Sequence, residues 1–265
     1  MNKTYGYFLM IFVCLASIST FATAQAMPTA EEIVQKAYKI AYYQGYDGKA
    51  FVSMYIKGRL GNTRERRFII LRRNEAQGEQ KYYVYFRRPA DVRRMVYMVW
   101  KHATRDDDRW LYLPALDLVK RIAASDRRSS FVGSHFVYED VSGRNLNLDK
   151  HRLIKTTKRY FVLDHTPKDP SLVKFSHYVM WVDRRTYMPI KAVYYDKQNR
   201  KYRSVQARKM KIISGHPTVT YSVAKDLVTG EETQMFFKKV QYDTGIPANI
   251  FGEYYLRRSP RKWLR

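Results

Sequence analysis

The chain has 265 residues, 45% of them hydrophobic, with 23 Tyr and 13 Phe against 12 Gly. That is enough apolar material for one core, and it favours strands, because aromatic side chains suit a half-buried pleated surface. The 49 Lys and Arg outweigh 24 Asp and Glu, for a formal charge of +25 dispersed along the chain, which reads as a solvated surface able to attract anions.

The first elements concern export. Met1 to Tyr7 carries Lys3 and no acid, Phe8 to Ile18 is an apolar run, and Ala22-Thr23-Ala24 or Ala24-Gln25-Ala26 offers small residues for cleavage. This predicts a signal peptide over residues 1–26, cut near Ala24 or Ala26, and an exported mature chain. The run falls short of the roughly 18 apolar residues that cross a bilayer. The single cysteine, Cys14, lies inside it behind Phe12-Val13 rather than the small residues of a lipoprotein signal. Once it is removed, disulfides, thiolate metal sites and Cys nucleophiles are excluded together. No later run approaches spanning length, so a soluble mature protein is expected.

Thr29 with Glu32 three residues later forms a capping box, and Ile33, Ala37, Ile40 and Ala41 recur on one face, predicting a helix that ends near Gly45. Strand signals follow at 50–56, 67–72, 81–86, 95–100, 109–113, 136–140, 158–164, 177–182, 190–196, 203–213, 218–224 and 233–242. Turn clusters separate them at Gly61-Asn62, Asp106-Asp107-Asp108, Asp183-Arg184-Arg185, Asp196 to Asn199 and Thr229-Gly230-Glu231. The pattern is a meander with no βαβ rhythm, in one domain over residues 27–265. Residues 257–265 form a basic C-terminal tail with Trp263 and Leu264, suited to a membrane surface, a partner, or no fixed structure.

Several strands are apolar on both faces. Val52, Met54 and Ile56 oppose Phe51, Ser53 and Tyr55, and Met95, Tyr97 and Val99 oppose Val96, Met98 and Trp100. A sheet with one wet face would leave these side chains in water, so an enclosed concavity or a covering helix is expected.

The stretch Trp110 to Asp140, WLYLPALDLVKRIAASDRRSSFVGSHFVYED, sets strand alternation on either side of a long polar loop. In W-L-Y-L-P-A-L-x-x-V-K-R-I, S-D-R-R-x-S-F-x-G-S and F-x-Y-E-D it resembles the LolA-like outer-membrane lipoprotein-sorting proteins of Gram-negative bacteria. Tyr85-Phe86, Pro89 to Arg93, Trp100-Lys101-His102, Trp181-Val182-Asp183 and Tyr194 to Lys197 extend the likeness. The resemblance implies a mainly β fold: a strongly curved antiparallel sheet forming an incomplete, half-open β-barrel, with an N-terminal helix and a long loop or helical lid. It further implies a periplasmic carrier of lipoprotein or lipid acyl chains, with an inner-membrane transporter and an outer-membrane acceptor as partners. Strand positions that could line the cavity are Met54, Ile56, Ile70, Phe86, Tyr97, Val99, Trp110, Tyr112, Leu113, Phe136, Tyr138 and Trp181, the inward face being left open. The chain departs from LolA in being longer, more basic and more elaborate around residues 114–135. A non-catalytic accessory subunit of an RND- or ABC-type envelope transporter is the alternative.

Within the loop, Asp126, Arg127 and Arg128 could pair with Glu139 or Asp140 and brace a lid, or the arginines could meet a phosphate or carboxylate of a ligand. Ser125, Ser129, Ser130, Ser134 and His135 lack a G-x-S-x-G elbow. The six His lack zinc spacing, and no phosphate loop or dinucleotide fingerprint occurs. No catalytic residue, metal or cofactor is therefore expected. An exported monomer is expected, with no nucleic acid as ligand.

Overall fold

A computed structural model of the chain describes Met1 and residues 27–265. The expected signal peptide and its cleavage site lie outside the described residues.

Helix α1 spans Ala30–Tyr42 and starts on the capping box. Thr29 N donates to Glu32 Oε2 at 2.8 Å, and Glu32 N returns a bond to Thr29 Oγ1 at 3.2 Å. The bonds that Thr29 N and Thr29 Oγ1 donate to the Glu32 carboxylate hold it below its ordinary pKa. The other end is closed by side chains from the sheet, which satisfy carbonyls that a helix leaves unpaired. Arg72 and Gln80 both donate to Tyr42 O, at 2.9 and 2.7 Å, and Asn74 Nδ2 donates to Tyr43 O at 3.0 Å. Gly45, at φ +66°, then turns the chain into the first strand.

Thirteen strands form one antiparallel sheet among the described residues. They are β1 (Asp47–Lys57), β2 (Thr63–Asn74), β3 (Gln80–Arg88), β4 (Val96–Lys101), β5 (Asp108–Leu113), β6 (Leu118–Arg121), β7 (Asp149–Thr156), β8 (Tyr160–Pro167), β9 (His177–Asp183), β10 (Pro189–Tyr195), β11 (Lys201–Ile213), β12 (His216–Asp226) and β13 (Glu232–Tyr242). The order is β6-β5-β4-β3-β2-β1-β13-β12-β11-β10-β9-β8-β7. Every neighbour is sequential except β1 with β13, which pair with Val52 opposite Phe237 and Met54 opposite Met235. The sheet is not closed, and its two edges, β6 and β7, are consecutive in sequence. Residues 122–148 connect them and include helix α2 (Tyr138–Ser142). Register shifts in the β1–β13, β2–β3, β7–β8, β9–β10, β10–β11 and β11–β12 pairs are irregularities of the kind that bend a sheet of this width.

Both faces of β1 to β5 are covered. On the inner face Val52, Met54, Phe68, Phe86 and Tyr97 pack around Phe131 of the connection, whose ring lies 5.8 Å from those of Phe68, Phe86 and Tyr97. On the outer face Ile69, Leu71, Tyr83, Val96, Met98 and Trp110 are roofed by Ile246, Ile250, Phe251, Leu256 and Leu264. The C-terminal residues are thus part of the fold, including helix α3 (Tyr254–Arg257), and Leu264 of the basic tail is buried. Asp47, itself buried, fastens the start of this segment by accepting from the backbone N–H groups of Thr244, Gly245 and Ile246 at 2.8 to 2.9 Å.

Two local expectations are corrected. Residues 136–140 do not form a strand: Asp140 Oδ2 accepts from Val137 N at 2.7 Å, and that local cap turns the chain into α2, leaving a single bridge between Ser130 and Val137. Strands β6 and β7 were not anticipated, because Lys120, Arg121, Lys150, Arg152 and Lys155 interrupt their apolar pattern. As edge strands they are where such charges belong.

Replacing Asp47 by Ala strands three backbone donors and the Thr244 hydroxyl beneath the C-terminal segment. We expect a loss of about 3 kcal/mol in denaturant unfolding, with residues 243–265 becoming the first site of limited proteolysis.

Candidate functional site

A cavity of about 380 Å³ lies between α1, the inner face of the sheet and α2. Small residues create the space: Ala37 and Ala41 on α1, Ala50 on β1, Ala192 on β10 and Ala207 on β11 all reach its wall. Ile70, Met180, Val205, Met235 and Phe237 supply larger apolar lining. Methionine adapts to irregular contents because its chain is unbranched and polarizable.

One side of the cavity is charged, with Arg128, Glu139, Asp140 and Arg144 in its wall. Glu139 is 3% exposed and receives Arg128 Nη1 at 2.8 Å and Arg144 Nη1 at 3.0 Å, with Arg127 Nε 3.5 Å away. Burial alone would raise the Glu139 carboxyl, but Arg144 and Arg128 outweigh it and hold the group below its ordinary pKa. Arg144 reaches on to β7, giving both Asp149 oxygens a bond of 2.7 Å. Tyr178 of β9 donates its hydroxyl to the same carboxylate at 3.0 Å. Asp140 pairs with Arg203 of β11, which also donates to His135 O at 3.2 Å. Lys101 of β4 donates to Gly143 O at 2.8 Å, just past α2. Gly143, at φ +82°, brings its backbone so close to the Tyr42 ring that a Cβ there would stand 3.1 Å from it. Burial lowers the Lys101 ammonium and raises the Tyr42 phenol.

Beneath Tyr178 sits a histidine pair. His151 Nε2 donates to Leu146 O at 3.1 Å, so in the neutral ring its Nδ1 accepts from His165 Nδ1, 2.8 Å away. That tautomer leaves His165 Nε2 a buried acceptor with no partner. The His165 ring stacks on Tyr178 at 4.4 Å and 2°. Burial, then His151 and Arg144, push the His165 pKa down to about 3.

Of the positions singled out from sequence, Ile70 and Phe136 line the cavity. Met54, Ile56, Phe86, Tyr97, Val99 and Tyr138 pack in the inner core around Phe131, with Leu113 against them. Trp110 and Tyr112 lie on the outer face under the C-terminal segment. Trp181 alternates with inward Met180 and Val182, so it also faces outward, below Lys191 Nζ at 5.3 Å. In the connection, Arg127 and Arg128 meet Glu139, Asp140 meets Arg203, and Asp126 is exposed at the surface. Residues not anticipated are Val34, Met180, Ala192, Val205, Ala207, Met235 and Phe237 on the wall, and Arg144, Asp149, Tyr178 and Arg203 in the polar network. The alternation of Val205 with Ala207 was a readable signal for the wall, and Arg144 five residues before Asp149 was one for the network.

A family model described as "uncharacterized protein" matches residues 78–258. The chain belongs to this family. Among solved structures, a provisionally named outer membrane lipoprotein-sorting protein domain from Vibrio parahaemolyticus is 26% identical with a TM-score of 0.79, over 87% of this chain and 98% of that one. A DUF1329 family protein from Desulfovibrio piger is 27% identical with a TM-score of 0.76, over 87% of this chain and 100% of that one. The LolA superfamily protein NE2245 from Nitrosomonas europaea, at 20% identity and a TM-score of 0.67 over 86% and 100% of the two chains, shares the fold. No curated protein matches the chain. The chain thus has a LolA-like fold, as the central motif suggested.

The buried network has two measurable consequences. Truncating Glu139 to Ala leaves Arg127, Arg128 and Arg144 facing one another, and should lower unfolding free energy by about 3 to 5 kcal/mol, with faster proteolysis within residues 122–148. His165 gives a pH dependence of known sign. Its folded pKa is depressed, so the unfolded chain binds the proton more readily, and stability that is complete above about pH 6.5 falls as pH drops below it. Urea titrations should show about 2 kcal/mol lost between pH 7 and 5, and a His165→Phe variant should lose most of that slope.

Proposed function

We propose that the protein is a non-catalytic periplasmic carrier that takes acyl chains of lipoproteins or lipids into the cavity and moves them between the inner and outer membranes. The observation that carries this reading is the apolar space of about 380 Å³ between α1 and the sheet, edged on one side by arginine and carboxylate. Its size falls within the range of small-molecule sites. A deep cavity of this kind favours a carrier over an accessory subunit, for which a filled core would serve. The Vibrio relative's lipoprotein-sorting name supports the same direction.

Ile70 and Phe136 are the proposed first acyl contacts. Met54, Ile56, Phe86, Tyr97, Val99 and Tyr138 would extend the wall if the connection lifts and withdraws Phe131. Residues 122–148 would then act as a lid, held by Arg127, Arg128 and Arg144 on Glu139 and by Arg203 on Asp140. Burying ten methylenes would contribute about 8 kcal/mol gross. A chain held so firmly does not return to water unaided. Release requires a partner that binds the open form better than the closed one, and an inner-membrane transporter and an outer-membrane acceptor would fill the loading and unloading roles.

The test is to isolate the mature protein from the envelope fraction without detergent, extract it with organic solvent, and identify bound lipid by mass spectrometry. A defined acylated species near one per protein is expected. A folded Ala192→Phe/Ala207→Trp variant should retain at least tenfold less. An empty wild-type protein that also refuses fluorescent acyl probes would remove the carrier reading.

A further inference from the structure

Strand direction places six turns on one rim of the sheet. β1, β3, β5, β8, β10 and β12 all run toward it, so the segments 58–62, 89–95, 114–117, 168–176, 196–200 and 227–231 emerge there. Four of these segments raise an aliphatic side chain into solvent: Leu60 is 95% exposed, Leu116 71%, Leu172 51% and Val228 78%. Isolated surface aliphatics are ordinary, but four on separate turns of one rim are a pattern.

The six segments together carry seven Lys or Arg against five Asp or Glu, and the positive excess is concentrated around the β1–β2 and β3–β4 turns. Arg59 and Arg64 flank Leu60, and the approach to and exit from the β3–β4 turn expose Arg87, Arg88, Arg93 and Arg94 around Asp91. At the other ends of the same strands the segments 75–79 and 102–107 carry Glu75, Glu79, Asp106 and Asp107, with Arg105 their only Lys or Arg. Strands β2 to β5 are therefore polarised along their length, whereas the far-end turns 157–159 and 184–188 are themselves basic.

We propose that the arginine-rich rim is a membrane-docking surface that seats on an anionic phospholipid bilayer, with Leu60, Leu116, Leu172 and Val228 entering the interface between head groups and acyl chains. Two observations favour a bilayer over a protein. The four aliphatics stand on separate turns, and a lipid interface accepts dispersed apolar side chains, whereas a peptide anchor needs them gathered in one place. The arginines beside Leu60 and around the β3–β4 turn are complementary to an anionic leaflet, where each nearby cation adds attraction. The same rim touches residues 131–135 of the connection: Arg64 Nη2 donates to Gly133 O at 3.3 Å, and His135 Nδ1 meets Thr233 Oγ1 at 2.9 Å. Contact with a bilayer would therefore reach that segment directly. This surface stands whether or not the cavity carries acyl chains.

Vesicle co-sedimentation of the mature full-length chain tests it. Binding is expected to vesicles of phosphatidylglycerol and phosphatidylethanolamine, at least tenfold weaker to pure phosphatidylcholine, and reduced in 0.5 M NaCl. Leu60→Ser/Val228→Ser and Arg87→Ser/Arg93→Ser should each weaken binding to the anionic vesicles about tenfold with melting temperature unchanged. Ile212→Ser, at an exposed aliphatic on the opposite rim, should bind like wild type, as should Ala207→Trp in the cavity wall. The proposal is overturned by equal binding to phosphatidylcholine, by rim variants that bind like wild type, or by an absence of vesicle binding. Retention on immobilised polyglutamate without vesicle binding would also overturn it, and would assign the rim to an acidic protein.

Discussion

Glu139 is a carboxylate taken almost wholly out of water, and the segment between the two sheet edges is organised around solvating it. An isolated buried carboxylate would take up a proton rather than stay charged, so the arginines around it are a requirement. They come from both sides of α2: Arg127 and Arg128 precede it, and Arg144 follows it and continues to Asp149 on β7. Arg203 does the same for Asp140 from β11, and Lys101 holds Gly143 from β4. The short helix is thereby tied to strands on both sides of the opening, although neither β6 nor β7 pairs with it.

The outer face obeys the matching constraint with apolar contacts. A strand such as Val96–Lys101 has apolar side chains on both faces, so the sheet there needs two covers. Phe131 and its neighbours supply one, and Ile246 to Leu264 supply the other. Asp47 and the indole of Trp100, which donates to Phe251 O at 2.7 Å, satisfy polar groups that this outer cover would otherwise bury unpaired. A large aromatic content is thus accommodated without a wide exposed patch on these strands.

Legibility in the sequence followed the range of the deciding interaction. The Thr29–Glu32 box and the hairpin turns are local, and they appear where the residues place them. The two-faced strands from Ala50 to Trp100 correctly implied an enclosure, but which face pointed inward depends on β1 meeting β13, a pairing between the first and last strands of the sheet. The region 136–140 read as a strand because its apolar alternation is genuine, yet one carboxylate, Asp140 on Val137 N, decided for a helix. The pairing of Arg128 with Glu139 was accessible because the two are close in sequence. Arg203, contributed from β11, carried no such mark, and of the cavity wall only the Val205–Ala207 alternation was readable, because the space depends on alanines from separate elements whose significance lies in what they fail to fill.

The kind of closure also bears on the proposed mechanism. Phe131 sits at 0% exposure among four aromatic rings, so the inner core under the connection is well packed, while the cavity beside it is held open at its charged wall. An opening sealed by apolar contacts alone would be lifted only by a ligand able to replace all of them. Buried ion pairs behave differently, because their Coulomb gain is largely offset by the desolvation already incurred. Arginines drawn toward another anion, or rehydrated at a partner's surface, recover much of what they give up in leaving Glu139. In the proposed carrier, a connection packed on Phe131 and fastened at Glu139 would combine a dense seal with a fastening that polar chemistry can undo, which an apolar plug would not offer.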